Sequence, residues 1–204
     1  MEPFKNNLEA PPVLILTNNV DEICFQQIGD FKSHRFANIE TSYDEIAKDL
    51  KINLDQVPVE GEVTLPEEDV TNFSLWLKNE LQQFVGKVQI SKRLKNQPAV
   101  IYGQVSSSMR MVMAMMEQQN PGQMDQMNKN NTLEINPSHG IIVKLNELRK
   151  RDPKRASILA HQVMDNVLML SGIPYNLQDS TKRNLDVLND YLNVLAAQPL
   201  PKEQ

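Results

Sequence analysis

The side chains with the most obvious chemical uses in this 204-residue chain are three histidines, one cysteine and a run of bases, and their spacing serves none of the common chemistries. A protein zinc site draws on Cys and His ligands in short paired spacings. His34, His139 and His161 stand far apart, and Cys24 has no second cysteine to pair with, so neither a metal centre nor a disulfide within the chain is expected. The histidines read as surface or capping residues. A nucleophilic thiolate needs a positive, partly exposed setting; Cys24 has apolar neighbours on an expected helix and reads as a buried, inert thiol. There is no P-loop, dinucleotide fingerprint, G-x-S-x-G or H-E-x-x-H pattern. No catalytic residue, metal ligand or cofactor is therefore assigned, and the chain by itself is not expected to be an enzyme. The basic cluster of Lys144, Arg149, Lys150, Arg151, Lys154 and Arg155 lacks the interleaved aromatics of a single-strand binder and reads as a solvated helix end. A net charge of −5 argues against nucleic acid as a general partner. No apolar run approaches the roughly 20 residues that span a bilayer, so no membrane partner is expected.

What remains is an excess of methionine. Seven of the ten methionines lie in the stretch MRMVMAMMEQQNPGQMDQM, residues 109–127. At about 100° per residue, Met109, Val112, Met113 and Met116 share one arc about 100° wide. Met111 and Met115 form a second cluster, and Arg110 falls in the remaining polar arc. Unbranched, polarizable side chains re-pack against many partners, which suits a binding surface as well as an irregular core. The pattern alone leaves two readings open: both clusters are core, or one of them faces solvent or a cleft.

These residues need a scaffold, and the pattern supplies an α+β one. Residues 13–16 read as a short buried strand, residues 20–30 as a helix with Asp21 and Glu22 in its first turn and Gly29 at its end, and RFANIET as a second strand. Together they suggest a small βαβ unit over residues 1–50, with a short helix from Tyr43. The acidic, proline-bearing residues 51–66 read as a linker. A second domain, 67–204, opens with a helix on which Val70, Phe73, Leu77, Leu81 and Phe84 follow helical spacing. KVQISKRL, PAVIYGQV and TLEI read as the strands of a small three-stranded sheet, and the methionine helix follows SSS, a run of possible caps. GIIVKLNELRKR reads as a helix with Ile141, Leu145 and Leu148 on one side. Two long amphipathic helices close the chain. Val163, Met164, Val167 and Leu170 mark the apolar stripe of the first; Leu185, Leu188, Tyr191, Leu192 and Leu195 mark that of the second. Stripes this wide at a chain end call for a second copy through a symmetric interface. The N-terminus lacks signal-peptide form and runs almost directly into a strand-like segment, so the chain is expected to be a piece of something longer.

At Thr132-Leu133-Glu134-Ile135-Asn136-Pro137, followed by His139 and Ile142, the chain resembles the T-L-E-I-N-P-x-H-P-x-I motif of the heat shock protein 90, or HtpG-type, chaperones. PVLILTNNVDEICFQQIGDFK is similar to the end of that family's middle domain, and VGKVQISKRLKNQPAVI to the start of its C-terminal domain. KLNELRKRDPKRASILAHQVMDNVLMLSGI resembles in particular the mitochondrial, tumour-necrosis-factor-receptor-associated branch. The resemblance implies a homodimeric chaperone fragment without the ATPase domain, so that ATP and Mg would belong to the full-length protein only. It implies a four-helix bundle made by the last two helices of each protomer. It also implies contact between partly folded clients and the methionine helix through Met109, Val112, Met113 and Met116. The D-E-W client motif of bacterial members reads Asp21-Glu22-Ile23 here, which adds Glu22, Ile23 and the nearby Gln26 but loses the aromatic. Gly140 stands where the motif has proline. PLPKEQ lacks the M-E-E-V-D and K-D-E-L endings of cytosolic and reticulum members, which fits an organellar or bacterial-type member; the resemblance implies the mitochondrial matrix, with the cytoplasm as alternative. The reading from another class is a passive dimeric helical scaffold with all methionines buried and no client site.

Overall fold

A computed structural model describes residues 12–39, 41–49, 63–91, 94–103, 105–116, 128–173 and 175–197. The chain runs α1 (Asn19–Ile28), β1 (Asp30–Phe31), β2 (His34–Arg35), α2 (Tyr43–Asp49), α3 (Glu67–Glu80), β3 (Lys87–Ile90), β4 (Ala99–Tyr102), α4 (Ser107–Met116), β5 (Thr132–Ile135), α5 (Gly140–Arg151), α6 (Pro153–Leu170) and α7 (Leu177–Ala196).

Among the described residues of the first fifty, the expected βαβ unit does not appear; residues 1–11 lie outside the described residues. Residues 13–16 are not a strand, and Val13, Leu14, Ile15 and Leu16 are exposed. Four apolar residues in a row favour a buried strand only when another strand pairs with them, and β1 and β2 pair with each other instead. That hairpin turns on Lys32 and Ser33, both at positive φ (49° and 65°). Two such central residues make the mirror-image turn whose twist suits a hairpin. Of RFANIET, residues 35–41, only Arg35 is in a strand among the described residues; Phe36 leaves the strand and packs edge-on against Phe25, ring centroids 4.8 Å apart. Most of the expected linker, 51–62, lies outside the described residues. Its last part is anchored: Leu65 is buried, and its amide donates to the Pro137 carbonyl at 2.8 Å.

From residue 63 onward the architecture is a three-stranded sheet with helices on one face. The order is β3-β5-β4, with β5 parallel to β3 and antiparallel to β4. Successive side chains of a strand point to opposite faces, and Ala99, Ile101, Leu133 and Ile135 face a core shared with Phe73, Leu77, Ile142, Leu145, Ala160 and Met164. α3 and α6 pack on this face and on each other, and α5 packs on α6. The core side of α5 differs from the expected one by a single residue: Ile142 is fully buried and Ile141 exposed. The cause is the helix start, where His139 caps α5 through its ring Nδ1, which accepts the Ile141 amide at 3.2 Å. Behind the core, Asp69 of α3 is held by Asn146 (3.0 Å) and Lys150 (2.6 Å) of α5. The Lys150 hydrogen bond, then that from Asn146, holds the Asp69 carboxyl below its ordinary 3.8.

The expected motif TLEINP turns out to be the centre of this scaffold. β5 is the middle strand, and the buried Asn136 closes the turn after it. Its Nδ2 donates to the Lys95 carbonyl (3.0 Å) and its Oδ1 accepts the Ser138 amide (3.0 Å).

Candidate functional site

Two surfaces are left apolar by this fold. The first is built on α4. Of the three serines, Ser107 and Ser108 fall inside the helix and Ser106 caps it: its Oγ accepts the Met109 amide at 3.3 Å. α4 packs against α1, which brings the two sequence-distant halves of the expected client site into one place. On α1, Ile23 and Gln26 are exposed. Glu22 is not: it is buried, and its Oε1 accepts from Gln26 Nε2 at 3.0 Å and from Asn38 Nδ2 at 2.7 Å. Its carboxylate ties α1 to the segment after the hairpin, a role that no local pattern announces. Cys24 is exposed, not buried, because α1 turns Glu22 and Phe25 inward rather than the side bearing the thiol.

On α4 the rotation differs from the expected one. Met115 is 67% exposed, whereas Met109, Val112 and Met113 are half-buried. The side chains of Met111 and Met116 lie outside the described residues, as do residues 117–127 with Met124 and Met127. Arg110, expected on the polar arc, is only 4% exposed. The inward side of α4 is thus the arginine side.

The second surface lies on the terminal helix pair. Here too the stripe read from the sequence divides. Met164 and Val167 are buried in the protomer core and are not available to a second copy. They point at the sheet, because β4 packs against α6 from that side. Val163 is half-buried and Leu170 exposed. On α7, by contrast, Leu185, Leu188, Tyr191, Leu192 and Leu195 are all exposed, joined by Val194. α7 begins at Asn176, whose Oδ1 accepts the amides of Gln178 and Asp179. It is fixed to α6 by charge: Arg183 meets the buried Asp165 with two parallel bonds of 2.8 Å, and Arg155 reaches Asp190 at 3.3 Å. The same Arg155, with Arg149 and Lys150 on Asp69, shows that half of the basic cluster serves internal ion pairs; Lys144, Arg151 and Lys154 are exposed. Among the described residues no group of three or more His, Cys, Asp or Glu could hold a metal ion, and no helix is long and apolar enough to cross a membrane.

A scaffold centred on TLEINP, a methionine helix and a terminal pair with one uncovered apolar face invite comparison with known families. Residues 2–203 match the family described as Hsp90 protein. The chain belongs to the Hsp90 family. Among relatives, the mitochondrial heat shock protein 75 kDa of Rattus norvegicus is 28% identical over 184 residues, covering 88% of this chain and 25% of the relative. The chaperone protein HtpG of Desulfotalea psychrophila is 31% identical over 193 residues, covering 89% and 31%. The mitochondrial TNF receptor-associated protein 1 homolog of Dictyostelium discoideum is 26% identical over 191 residues, covering 94% and 25%. This Hsp90 chain therefore spans about a quarter to a third of the length of the curated relatives it matches, and both mitochondrial and bacterial chaperones are among them.

Proposed function

We propose that this chain is the homodimerisation and client-contact part of an Hsp90 chaperone, working by binding rather than by chemistry. One observation carries the reading: the folded chain leaves uncovered a long leucine face on α7 and a methionine-bearing surface where α4 meets α1. A large uncovered apolar face marks an interaction site. The α7 face is regular and flanked by the ion pairs that hold the helix to its own protomer, which suits a second copy meeting it in a four-helix bundle. The α4–α1 surface is smaller, mixed and soft, which suits varied, partly folded clients. In the longer protein, nucleotide bound with Mg outside this chain would shift the populations of open and closed forms and reshape that surface. The compartment proposed is the mitochondrial matrix, supported by the mitochondrial relatives.

Sedimentation of the purified chain at tens of micromolar tests the first half: a dimer is expected, and a clean monomer overturns it. Binding of a permanently unfolded probe, reduced and carboxymethylated α-lactalbumin, tests the second. ATP turnover by the chain alone, expected to be nil, would overturn the reading of its role. The half-burial of Met109, Val112 and Met113 favours the second reading, a passive dimeric scaffold. Under that reading the α-lactalbumin probe is ignored and Met109 and Met113 resist peroxide as Met164 does, whereas Met115 is exposed under either reading.

A further inference from the structure

The methionine helix is seated on the scaffold by one buried charge. Arg110 lies one turn into α4, and its amide donates to the Ser106 carbonyl at 3.0 Å. Its Nε donates to the Val105 carbonyl at 2.9 Å, closing the guanidinium back onto the segment that leads into the helix. The rest of the guanidinium lies over Gly103, at the exit of β4. A β-carbon on Gly103 would collide with Arg110 Nη2 and would fall 2.7 Å from Asn131 Oδ1. Asn131 is itself buried at the entry to β5, and its Nδ2 donates to the Phe84 carbonyl at 3.0 Å. Arg110 therefore enters a pocket whose floor is backbone, between the end of one strand and the start of the next. A guanidinium placed there by 2.9 Å geometry has little freedom, because moving it would leave a buried charge without its bonds.

On a helix, holding one residue inward fixes the heading of all the others. With Arg110 inward, Met113 and Met109 stand about 60° and 100° around the helix from it, and Met115 about 140°. Met109 and Met113, on the nearer side, are half-buried and Met115 is 67% exposed, while Val112, about 160° from Arg110, is half-buried as well. We propose that Arg110, seated over Gly103, is the positioning residue that sets the rotation of α4 and thereby selects which methionines a client meets. This rests on the reading of α4 as a client contact. Its chemistry is that of a peg and a socket: the side chain supplies the bonds, and the missing β-carbon of Gly103 supplies the space.

Two independent variants test it, Arg110→Leu, which removes the peg, and Gly103→Ala, which fills the socket. Brief exposure to dilute hydrogen peroxide followed by peptide mass spectrometry reads each methionine separately, since thioether oxidation follows exposure. In the unaltered chain Met115 should oxidise fastest, Met109 and Met113 more slowly, and Met164, fully buried, hardly at all. In both variants the ratio of Met115 to Met109 oxidation should fall by about threefold or more while Met164 stays protected. Affinity for the carboxymethylated α-lactalbumin probe should change in step. A ratio unmoved in both variants overturns the proposal. So does loss of Met164 protection, which would make Arg110 a residue of overall stability rather than of rotation. If the ratio shifts but the unaltered chain ignores the probe, the client reading fails and the rotational role of Arg110 stands.

Discussion

α6 and α7 are neighbouring amphipathic helices of similar length, and their apolar stripes have opposite fates. α6 sinks Ala156, Ala160, Met164, Val167 and Leu168 into the protomer. α7 buries only Ser180 and holds its leucines out in solvent. The number of apolar residues does not separate them. The charges do: Asp165 and Arg183 define the seam between the helices, so α7 meets α6 through a polar edge and its leucine face is turned aside. An apolar stripe announces that a helix has a partner. Only the polar residues beside it say whether that partner lies in the same chain.

The comparison breaks most visibly by charging the uncovered stripe. Leu188→Glu combined with Leu192→Glu should convert a dimer to a monomer at tens of micromolar, weakening association by about 100-fold or more. Both side chains are exposed in the protomer, so the variant should still unfold cooperatively, with its midpoint lowered only by the stabilisation that association gives the dimer. A dimer that survives both substitutions would show that α7 is not the interface. The reciprocal experiment is Met164→Ala on α6. It should cost roughly 2–5 kcal/mol in urea unfolding, the usual penalty for a cavity in a core, and leave the association constant of the folded protein unchanged. The seam itself comes next. Asp165→Asn leaves Arg183 without its carboxylate, for which about 2 kcal/mol is expected; extra loss of dimer would mean that the seam also orients α7 for its partner. The smallest effect concerns a control far from both stripes. The folded-state pKa of Asp69 is depressed, so its contribution is present above the unfolded value and is lost as pH falls through the lowered one. Stability measured from pH 6 down to 2 should therefore drop less steeply in Asp69→Asn than in the unaltered chain, and identical slopes would contradict the assignment.

The long helices were legible because period 3.6 is a property of contiguous residues: Phe73 and Leu77 on α3, and Leu81 at its C-terminal cap, land where their spacing puts them. What escaped depends on groups distant in sequence. The strand-like residues 13–16 find no strand beside them among the described residues. The position of β5 between β3 and β4 follows from pairing that no local pattern encodes. The one-residue shift on α5 comes from the His139 cap. The rotation of α4 could not be read at all, since it turns on Arg110 meeting a glycine at the end of another element. The retention of Glu22 by Asn38 is of the same kind. The clearest family motif was legible as a motif, yet its residues build the middle strand and its turn, not the contact surface.

The strand order has a consequence for how this protein can vary. β4 and β5 become antiparallel neighbours only by closing a loop that contains the whole of α4 and the methionine-rich stretch. Loop closure depends weakly on length, with a doubling costing only about 0.6 kcal/mol. The sheet is therefore indifferent to much of what the loop carries, provided that its two ends, at Gly103 and Asn131, keep their seats. Beyond the buried Ser106 and Arg110, the length of chain between those points can change with little thermodynamic penalty to the scaffold. The segment between them is in this sense a replaceable cassette in a stable frame, open to rapid change while the frame stays recognisable.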